Sequence, residues 1–274
     1  MIDYGVWMKE INDILSIISE DDYPETYAYL SIMLEGDADL DAPLDMVHKL
    51  ENCDKSEPFP FVVSNLILLL LESEIDNGNA DAMNDLGALY YEGRVFEQDF
   101  EKAVNYYIMA ADHGSRQAQE NLGYCYYYGR SVPVDYEKAF HYYALGAFDG
   151  HIISLYKIGD MYLNGYYVKK NPIEAFKIYD YCKSLINQDN ADYTAGPVFL
   201  RLGNCFLNGL GTEPDCKLAL MCYQQAENYL LDMVQNGDAM YKKSLRAAID
   251  GQAKAREQIA KTMPDGVWLD GVKD

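Results

Sequence analysis

The chain has 274 residues, which is enough for one elongated domain or two compact ones with an ample apolar core. Its formal net charge of -22 argues against DNA, RNA and anionic membrane surfaces as partners, because all of these favour Lys and Arg. A partner with basic residues is the better expectation, although an acidic excess also serves solubility alone. The six cysteines show no regular paired spacing, so we expect reduced thiols packed as small apolar groups.

The N-terminal segment, residues 1–58, predicts a helical extension of a cytoplasmic protein. Its first residues, MIDYGVWMKEINDILSIISEDD, carry acid where a secretory signal carries Lys or Arg, and no small-residue cleavage site follows them. About three helices are expected in the extension, separated by acidic turns and without a clear period. We place them near Tyr4 to Ile18, Pro24 to Leu34 and Leu44 to Asn52.

The longest apolar run extends from Phe61 to Leu71, contains Asn65 and stops at Glu72. It is well short of the ~20 residues that a membrane-spanning helix needs, so it predicts a buried helix and no membrane span. Residues 59–78 look like the second half of a degenerate repeat that precedes the four repeats described next.

Residues 79–235 contain four copies of one pattern. LGALYYEGR begins at Leu86, LGYCYYYGR at Leu122, IGDMYLNGY at Ile158 and LGNCFLNGL at Leu202. The first three are spaced by 36 residues and the fourth follows after 44, because eight extra residues fall within 184–196. Four further columns keep the same step: Gly93, Gly129, Gly165 and Gly209; Asp99, Asp135, Asn171 and Asp215; Ala103, Ala139, Ala175 and Ala219; Tyr107, Tyr143, Tyr179 and Tyr223. We place the repeats at 79–114, 115–150, 151–194 and 195–235.

Each repeat predicts a helix, a turn and a second helix. In the second repeat the first helix, near Gln117 to Tyr128, ends at Gly129, which can adopt the left-handed conformation that closes a helix. Asp135 stands where the second helix needs an N-cap, and that helix runs to about Gly150. A glycine also recurs inside each first helix, at Gly87, Gly123, Gly159 and Gly203. A glycine inside a helix costs about 1 kcal/mol relative to Ala. Its recurrence at that cost predicts that another helix packs there at close range.

The pattern LG..Y..G....D..KA..YY..AA..G resembles the Sel-1-like repeat family, a relative of the tetratricopeptide repeats, from Asn79 to roughly Gln235. Individual repeats depart from it at Ile158, Asn171 and Leu218. The resemblance implies an all-α fold, a right-handed α-α superhelix (solenoid) of helix-turn-helix repeats. It also implies a scaffold that binds other proteins through its concave surface. Residues 236–274 then form a C-terminal capping helix and tail, with 238–262 as one long helix whose outer face is rich in Lys and Arg.

Helical geometry divides the tyrosines of LGYCYYYGR between two faces, because each residue advances about 100° around the axis. The predicted core side gathers Leu122, Gly123, Cys125 and Tyr126. In tetratricopeptide repeats the opposite side of the first helix lines the concave groove. The residues on that side form the predicted partner-binding stripe: Asp81, Asn84, Tyr91, Glu92, Gln117, Glu120, Tyr124, Tyr127, Tyr128, Tyr156, Asp160, Asn164, Asn204 and Asn208.

The composition of the stripe predicts the partner's chemistry. Tyrosine offers a large, stiff, amphipathic surface at little entropic cost. Nearby carboxylates suit a segment that carries Lys or Arg, which can also lie over the rings. We therefore predict a non-catalytic scaffold that binds a protein or peptide in an acidic, tyrosine-lined groove. At any single position, packing between adjacent first helices is the alternative.

Two other functions are weighed against this one. An acidic protein can inhibit a basic enzyme, for instance a nuclease, by presenting acid where the nucleic acid would lie. Ser154 to Lys157 also fits the S-x-x-K spelling of serine acylases, and some relatives of the repeat family are associated with binding or hydrolysing β-lactams. No K-T-G or S-D-N accompanies the match, and those relatives carry regularly repeated disulfides, so enzyme activity is not expected.

The sequence predicts no metal or cofactor site. Asp37, Asp39 and Asp41 stand at the first, third and fifth places of a calcium-loop pattern, but Ala42 replaces its Gly and His48 its bidentate Glu. The four histidines show neither H-E-x-x-H nor a Cys-x-x-Cys companion, and no Gly-rich phosphate loop follows a strand.

Overall fold

The computed structural model describes residues 4–35, 42–53, 59–148, 150–237 and 239–262. These residues form thirteen α-helices and one short 3-10 helix, and none of them lies in a strand. The predicted all-α fold of paired repeat helices is confirmed. No helix in the described part of the chain combines the length and the apolarity needed to cross a bilayer. The chain divides into two compact units, 1–139 and 140–274.

In the first unit the N-terminal helices and the first repeat share one hydrophobic core. Its helices are α1 (Tyr4–Leu15), α2 (Pro24–Glu35), α3 (Pro43–Asn52), α4 (Phe61–Asp76), α5 (Ala80–Glu92), α6 (Phe100–Asp112), α7 (Arg116–Tyr128) and the start of α8 (Tyr136–Phe148). Both α1 and α3 pack against α4, which in turn packs against α5. Leu66, Ile67 and Leu70 of α4 are fully buried there, which confirms the predicted buried helix.

The second unit contains the rest of α8, then α9 (Ile152–Asn164), α10 (Pro172–Leu185), α11 (Ala191–Asn208), α12 (Cys216–Gln235), a 3-10 turn (Ala239–Tyr241) and α13 (Lys242–Thr262). The C-terminal segment was expected to be one helix from Asp238, a position that lies outside the described residues. In its described part a 3-10 turn comes first, and only α13 is α-helical. The basic residues at the start of α13, Lys242, Lys243 and Arg246, are exposed as predicted.

The eight extra residues form both a loop and the start of a helix. The backbone N–H of Asn187 donates to Oδ1 of Asn190 at 2.8 Å and so closes the loop after α10. The following residues lengthen α11 to 18 residues, whereas α9 has 13. The longer α11 pairs with α12, whose buried Leu230 and Met233 belong to the same core cluster as Ala248 of α13. Gly196, in the inserted segment, lies against Leu230, so the extension of α11 packs on α12.

Recurring side chains fix the ends of the repeat helices. Gly93, Gly129, Gly165 and Gly209 have φ values of 74°, 69°, 78° and 64°, which a residue with a Cβ rarely adopts. The side-chain oxygens of Asp99, Asp135, Asn171 and Asp215 accept backbone N–H bonds two or three residues ahead. Both predictions, the glycine C-cap and the Asp or Asn N-cap, are confirmed.

The glycines inside the first helices make room for the tyrosines of the second helices. A Cβ at Gly159 would lie 2.5 Å from the ring of Tyr179, and one at Gly203 would lie 2.8 Å from the ring of Tyr223. Both rings are almost completely buried. Gly87 meets a tyrosine ring in the same way, so the predicted close approach of the two helices is confirmed.

Candidate protein-binding surfaces

A connected row of aromatic rings runs across the first unit, and we call it the aromatic ladder. Its members in order are Phe100, Tyr91, Tyr124, Tyr128, Tyr127 and Tyr136. Neighbouring ring centroids lie 5.1, 6.4, 4.6, 4.7 and 5.6 Å apart, and the rings meet at tilted or edge-on angles. Such pairs are favourable beyond the area that they bury. The ladder thus connects the helices of the first repeat with those of the second.

Three rings of the ladder belong to α7, and they lie on the side of that helix that helical geometry assigned to them: Tyr124, Tyr127 and Tyr128. Leu122 and Cys125 are buried on the opposite face, while Tyr124 and Tyr127 are half-buried. Tyr128 is 46% exposed. The division of this helix into a core side and an outer side is confirmed, and the binding role of the outer side stays a prediction.

Two groups of the first unit, the phenol of Tyr91 and the thiol of Cys125 on α7, have raised pKa values. Burial, and after it the neighbouring Tyr124, raise the pKa of Tyr91 to about 12, so this phenol keeps its proton. Burial likewise raises the pKa of the Cys125 thiol to about 11, which leaves it protonated and unreactive. The ladder has ring faces and hydroxyl groups that a partner can contact, while the charged groups of the predicted stripe are the carboxylates of other residues.

Four polar members of the predicted stripe lie on α5 and α7, the helices that carry the central rings of the ladder. Asp81, Glu92 and Gln117 are exposed, and Glu120 is half-buried. Asn84 differs from the expectation, because it is only 7% exposed. Its Oδ1 accepts a hydrogen bond from Nδ2 of Asn121 at 3.0 Å, so it joins α5 to α7 instead of facing outward.

In the second unit the predicted stripe contains an ion pair. Nε and Nη2 of Arg201 on α11 donate to the two carboxylate oxygens of Asp160 on α9, at 2.7 and 2.6 Å. Nη1 of Arg201 donates to the carbonyl oxygen of Pro197 at 2.9 Å. The hydroxyl of Tyr179 donates to the same carboxylate at 2.8 Å. The burial of Tyr179 and this carboxylate raise the pKa of its phenol.

Tyr156 was assigned to the stripe, but it is a core residue with only 5% of its surface exposed. The guanidinium of Arg201 lies 4.0 Å from its ring centroid and covers it. Arg201 was not among the predicted site residues. Its signal in the sequence is the column before each LG or IG, which holds Asp85, Asn121, Lys157 and Arg201 and is polar in every repeat.

The remaining stripe residues of the second unit are exposed asparagines that already make hydrogen bonds within the chain. Oδ1 of Asn204 accepts a bond from the hydroxyl of Tyr223 at 2.7 Å. The amides of Asn164 and Asn208 donate to carbonyl oxygens one turn back in their own helices, at 2.8 and 2.9 Å. These side chains therefore serve the ends of α9 and α11 as well as the surface.

The S-x-x-K match does not form an accessible nucleophile. Ser154 is completely buried, and a Cβ at Gly146 would lie 2.5 Å from its Oγ. A β-lactam carbonyl cannot reach this oxygen, so the structure gives no support to the acylase alternative.

The described residues contain no cluster of metal ligands. Among them, no group of three or more His, Cys, Asp or Glu side chains is arranged to hold a metal ion. The calcium-loop pattern from Asp37 to Asp41 lies outside the described residues. All six cysteines are thiols and none is joined in a disulfide, as the sequence predicted.

Four segments of the chain match the model of the Sel1 repeat, at residues 80–115, 116–151, 152–180 and 200–228. The chain belongs to the Sel1 repeat family. The Sel1 repeats correspond to the helix pairs from α5 to α12. No curated protein sequence matches the chain.

Two solved structures share the fold of this Sel1 repeat protein. A Sel1 repeat protein from Oxalobacter formigenes is 23% identical, with a TM-score of 0.53 over 73% of this chain and 77% of that one. The protein c5321, a protective antigen present in uropathogenic Escherichia coli strains that displays an SLR fold, is 20% identical with a TM-score of 0.56. That match covers 79% of this chain and 45% of the antigen. At these identities the similarity establishes the fold and no shared partner.

Proposed function

We propose that this Sel1 repeat protein is a non-catalytic cytoplasmic scaffold that binds a protein or peptide through the aromatic ladder. Sel1 repeat proteins are in general protein-interaction scaffolds. The observation that carries the proposal is the ladder itself, six rings in contact across two consecutive repeats with Tyr128 46% exposed. Rigid aromatic side chains that are partly buried supply much of the binding energy at protein interfaces.

The charges of the chain favour a partner segment with Lys or Arg. The net charge is -22, and Asp81 and Glu92 are exposed on the helix that carries Tyr91. Tyrosine rings of this unit already accept ammonium groups, because Nζ of Lys102 lies 4.8 Å from the ring centroid of Tyr90. A basic side chain of a partner can approach a ladder ring with the same geometry.

The experiment is a selection of displayed peptides on the wild-type protein, followed by affinity measurements on two double variants. Tyr124→Ala with Tyr128→Ala removes the middle of the ladder. Tyr181→Ala with Tyr193→Ala removes two tyrosines that are 52% and 47% exposed in the second unit, and it is the matched control. We expect selected peptides to be rich in Lys or Arg and to bind the ladder variant at least about tenfold more weakly than the control. Equal binding to both variants would refute the ladder as the site.

The inhibitor of a basic enzyme is the second candidate, and the net charge of -22 favours it. The same measurements separate the two functions. An inhibitor that acts through its acidic field loses affinity steeply as salt rises and keeps it in the ladder variant. Binding through the rings is weakened less by salt and depends on Tyr124 and Tyr128.

A further inference from the structure

A recess of about 530 Å³ opens in the first unit between α4, α5 and α6. Its walls are Glu72, Ile75, Asp76, Tyr90, Lys102, Asn105, Tyr106 and Met109. Tyr90 lines the recess and Tyr91 belongs to the ladder. Because consecutive residues of a helix point about 100° apart, the two surfaces lie on different sides of α5.

Two tyrosines form an aromatic wall in this recess. The rings of Tyr90 and Tyr106 are parallel within 5°, with centroids 5.9 Å apart. Nζ of Lys102 lies over Tyr90, and it is also 3.6 Å from a carboxylate oxygen of Asp99. Asp99 offsets the charge of this lysine, so the recess already shows how a cation is held against its wall.

The acids on the opposite side are placed where a helix does not favour them. Glu72 and Asp76 are four residues apart on α4, and like charges at that spacing repel each other. Asp76 is the last residue of the helix, where the dipole disfavours negative charge, and the last turn contains no basic residue. Among the described residues, neither carboxylate has an ion-pair partner. A cation between them relieves both unfavourable terms.

We propose that this recess binds an arginine side chain of a protein partner, with the guanidinium between Glu72, Asp76 and the ring of Tyr106. Arginine fits better than lysine because its planar group stacks on a ring and donates to two carboxylates at once. The half-buried phenol of Tyr106 stays neutral, since burial raises its pKa and Tyr90 and Glu72 raise it further. The proposal depends on α4, α5 and α6 alone and does not require the ladder to bind anything.

The test is a titration of the full chain, labelled at its methionine methyl groups, with N-acetyl-arginine N-methylamide. Met109 lines the recess and is 41% exposed, so its methyl signal reports on the site. We expect a saturable shift of this signal. The citrulline analogue, which has the same shape without the charge, should give none. The exposed Met221 and Met240 of the second unit serve as internal controls and should not move.

Two double variants complete the test. Glu72→Gln with Asp76→Asn removes both charges, and we expect the dissociation constant for the probe to rise at least about tenfold. This change also removes a repulsion within α4, so the variant is expected to melt no lower than the wild type. Glu101→Gln with Asp112→Asn makes the same charge change at exposed positions of α6 outside the recess, and should leave binding unchanged. A shift that does not saturate, a response to citrulline, or equal effects of the two variants would overturn the proposal.

Discussion

The two units use the position that follows the mid-helix glycine of the first repeat helix in opposite ways. In the second unit this position holds Asp160 and Asn204, whose side chains accept hydrogen bonds from buried tyrosine hydroxyls at 2.8 and 2.7 Å. In the first unit the position in the second repeat holds Tyr124, whose ring contacts Tyr91 and Tyr128. The backbone and the buried tyrosine column are the same in both cases. The residue at this position decides what the outer face of the first helix does. An Asp or Asn there accepts a hydrogen bond from the buried tyrosine of its own repeat, whereas a Tyr there places an aromatic ring on the face.

This difference assigns different roles to the two surfaces. A carboxylate that holds Arg201 in two bonds and also accepts from Tyr179 has little capacity left for a partner. We therefore propose that the Asp160 network serves stability and that the aromatic ladder serves recognition. The following changes test that assignment, from the largest expected effect to the smallest.

Asp160→Ala should lower the free energy of unfolding by about 3 kcal/mol, because it leaves the guanidinium of Arg201 without its counter-charge at a site where little of either side chain is exposed. Denaturation in urea measures this loss. Asp180→Ala is the matched control, since its pair with Lys183 is exposed and should contribute less than about 1 kcal/mol. Equal losses in the two variants would show that the network does not hold α9 and α11 together.

Gly159→Ala should lower the free energy of unfolding by about 2 kcal/mol, because the new Cβ meets the ring of Tyr179 at 2.5 Å. The hydroxyl of Tyr179 is fixed by Asp160, so the ring cannot move aside. Gly87→Ala is the comparison in the first unit, where the Cβ meets Tyr107 at 2.8 Å. The hydroxyl of Tyr107 has no hydrogen bond within the described residues, so we expect a smaller loss there. Thermal unfolding of both variants decides the order, and a larger loss at Gly87 would contradict it.

Glu51 makes the stability of the first unit depend on pH. Burial raises its pKa from 4.5 to about 7, and Asp85 and Glu92 raise it while His48 and Arg94 lower it. A carboxyl with a raised pKa in the folded state contributes stability that is present below pH 4.5 and lost as pH rises through about 7.

Glu51→Gln should therefore stabilise the protein by about 1 kcal/mol at pH 8, after allowance for solvent screening, and change little at pH 4.5. Unfolding measured in urea from pH 4.5 to pH 8 gives both values. If the difference between variant and wild type does not grow with pH, the carboxyl is ionised throughout that range and the assignment is wrong.

Repeated local features could be predicted from the sequence. Three of these features depend on a few neighbouring residues or on one helix pair. They are the Gly93 column at the helix ends, the Asp99 column at the helix starts and the close packing of Gly159 on Tyr179. The outer side of α7 followed from the advance of about 100° per residue. These features are fixed within a repeat, so a repeated pattern reveals them.

Contacts between repeats could not be predicted in the same way. Arg201 and Asp160 are 41 residues apart, and their pairing depends on the register between two first helices and on the side-chain conformation of the arginine. The sequence showed a polar column without showing its partners. Tyr156 was assigned to the surface for the same reason, because the contacts that bury it come from other helices and include the guanidinium of Arg201. The recess required the placement of α4 beside α6, which no repeat column specifies.

The most direct test of separate surfaces for recognition and stability compares the proteins that three versions of the chain capture. Three chains are used to capture partners from native cell extract, and their melting temperatures are recorded. They are the wild type, the ladder variant Tyr124→Ala with Tyr128→Ala, and the control Tyr181→Ala with Tyr193→Ala. We expect the ladder variant to lose a protein that the other two retain, while its melting temperature falls by no more than about 4 °C. Retention of that protein by all three chains, or unfolding of the ladder variant, would contradict a recognition role for the ladder.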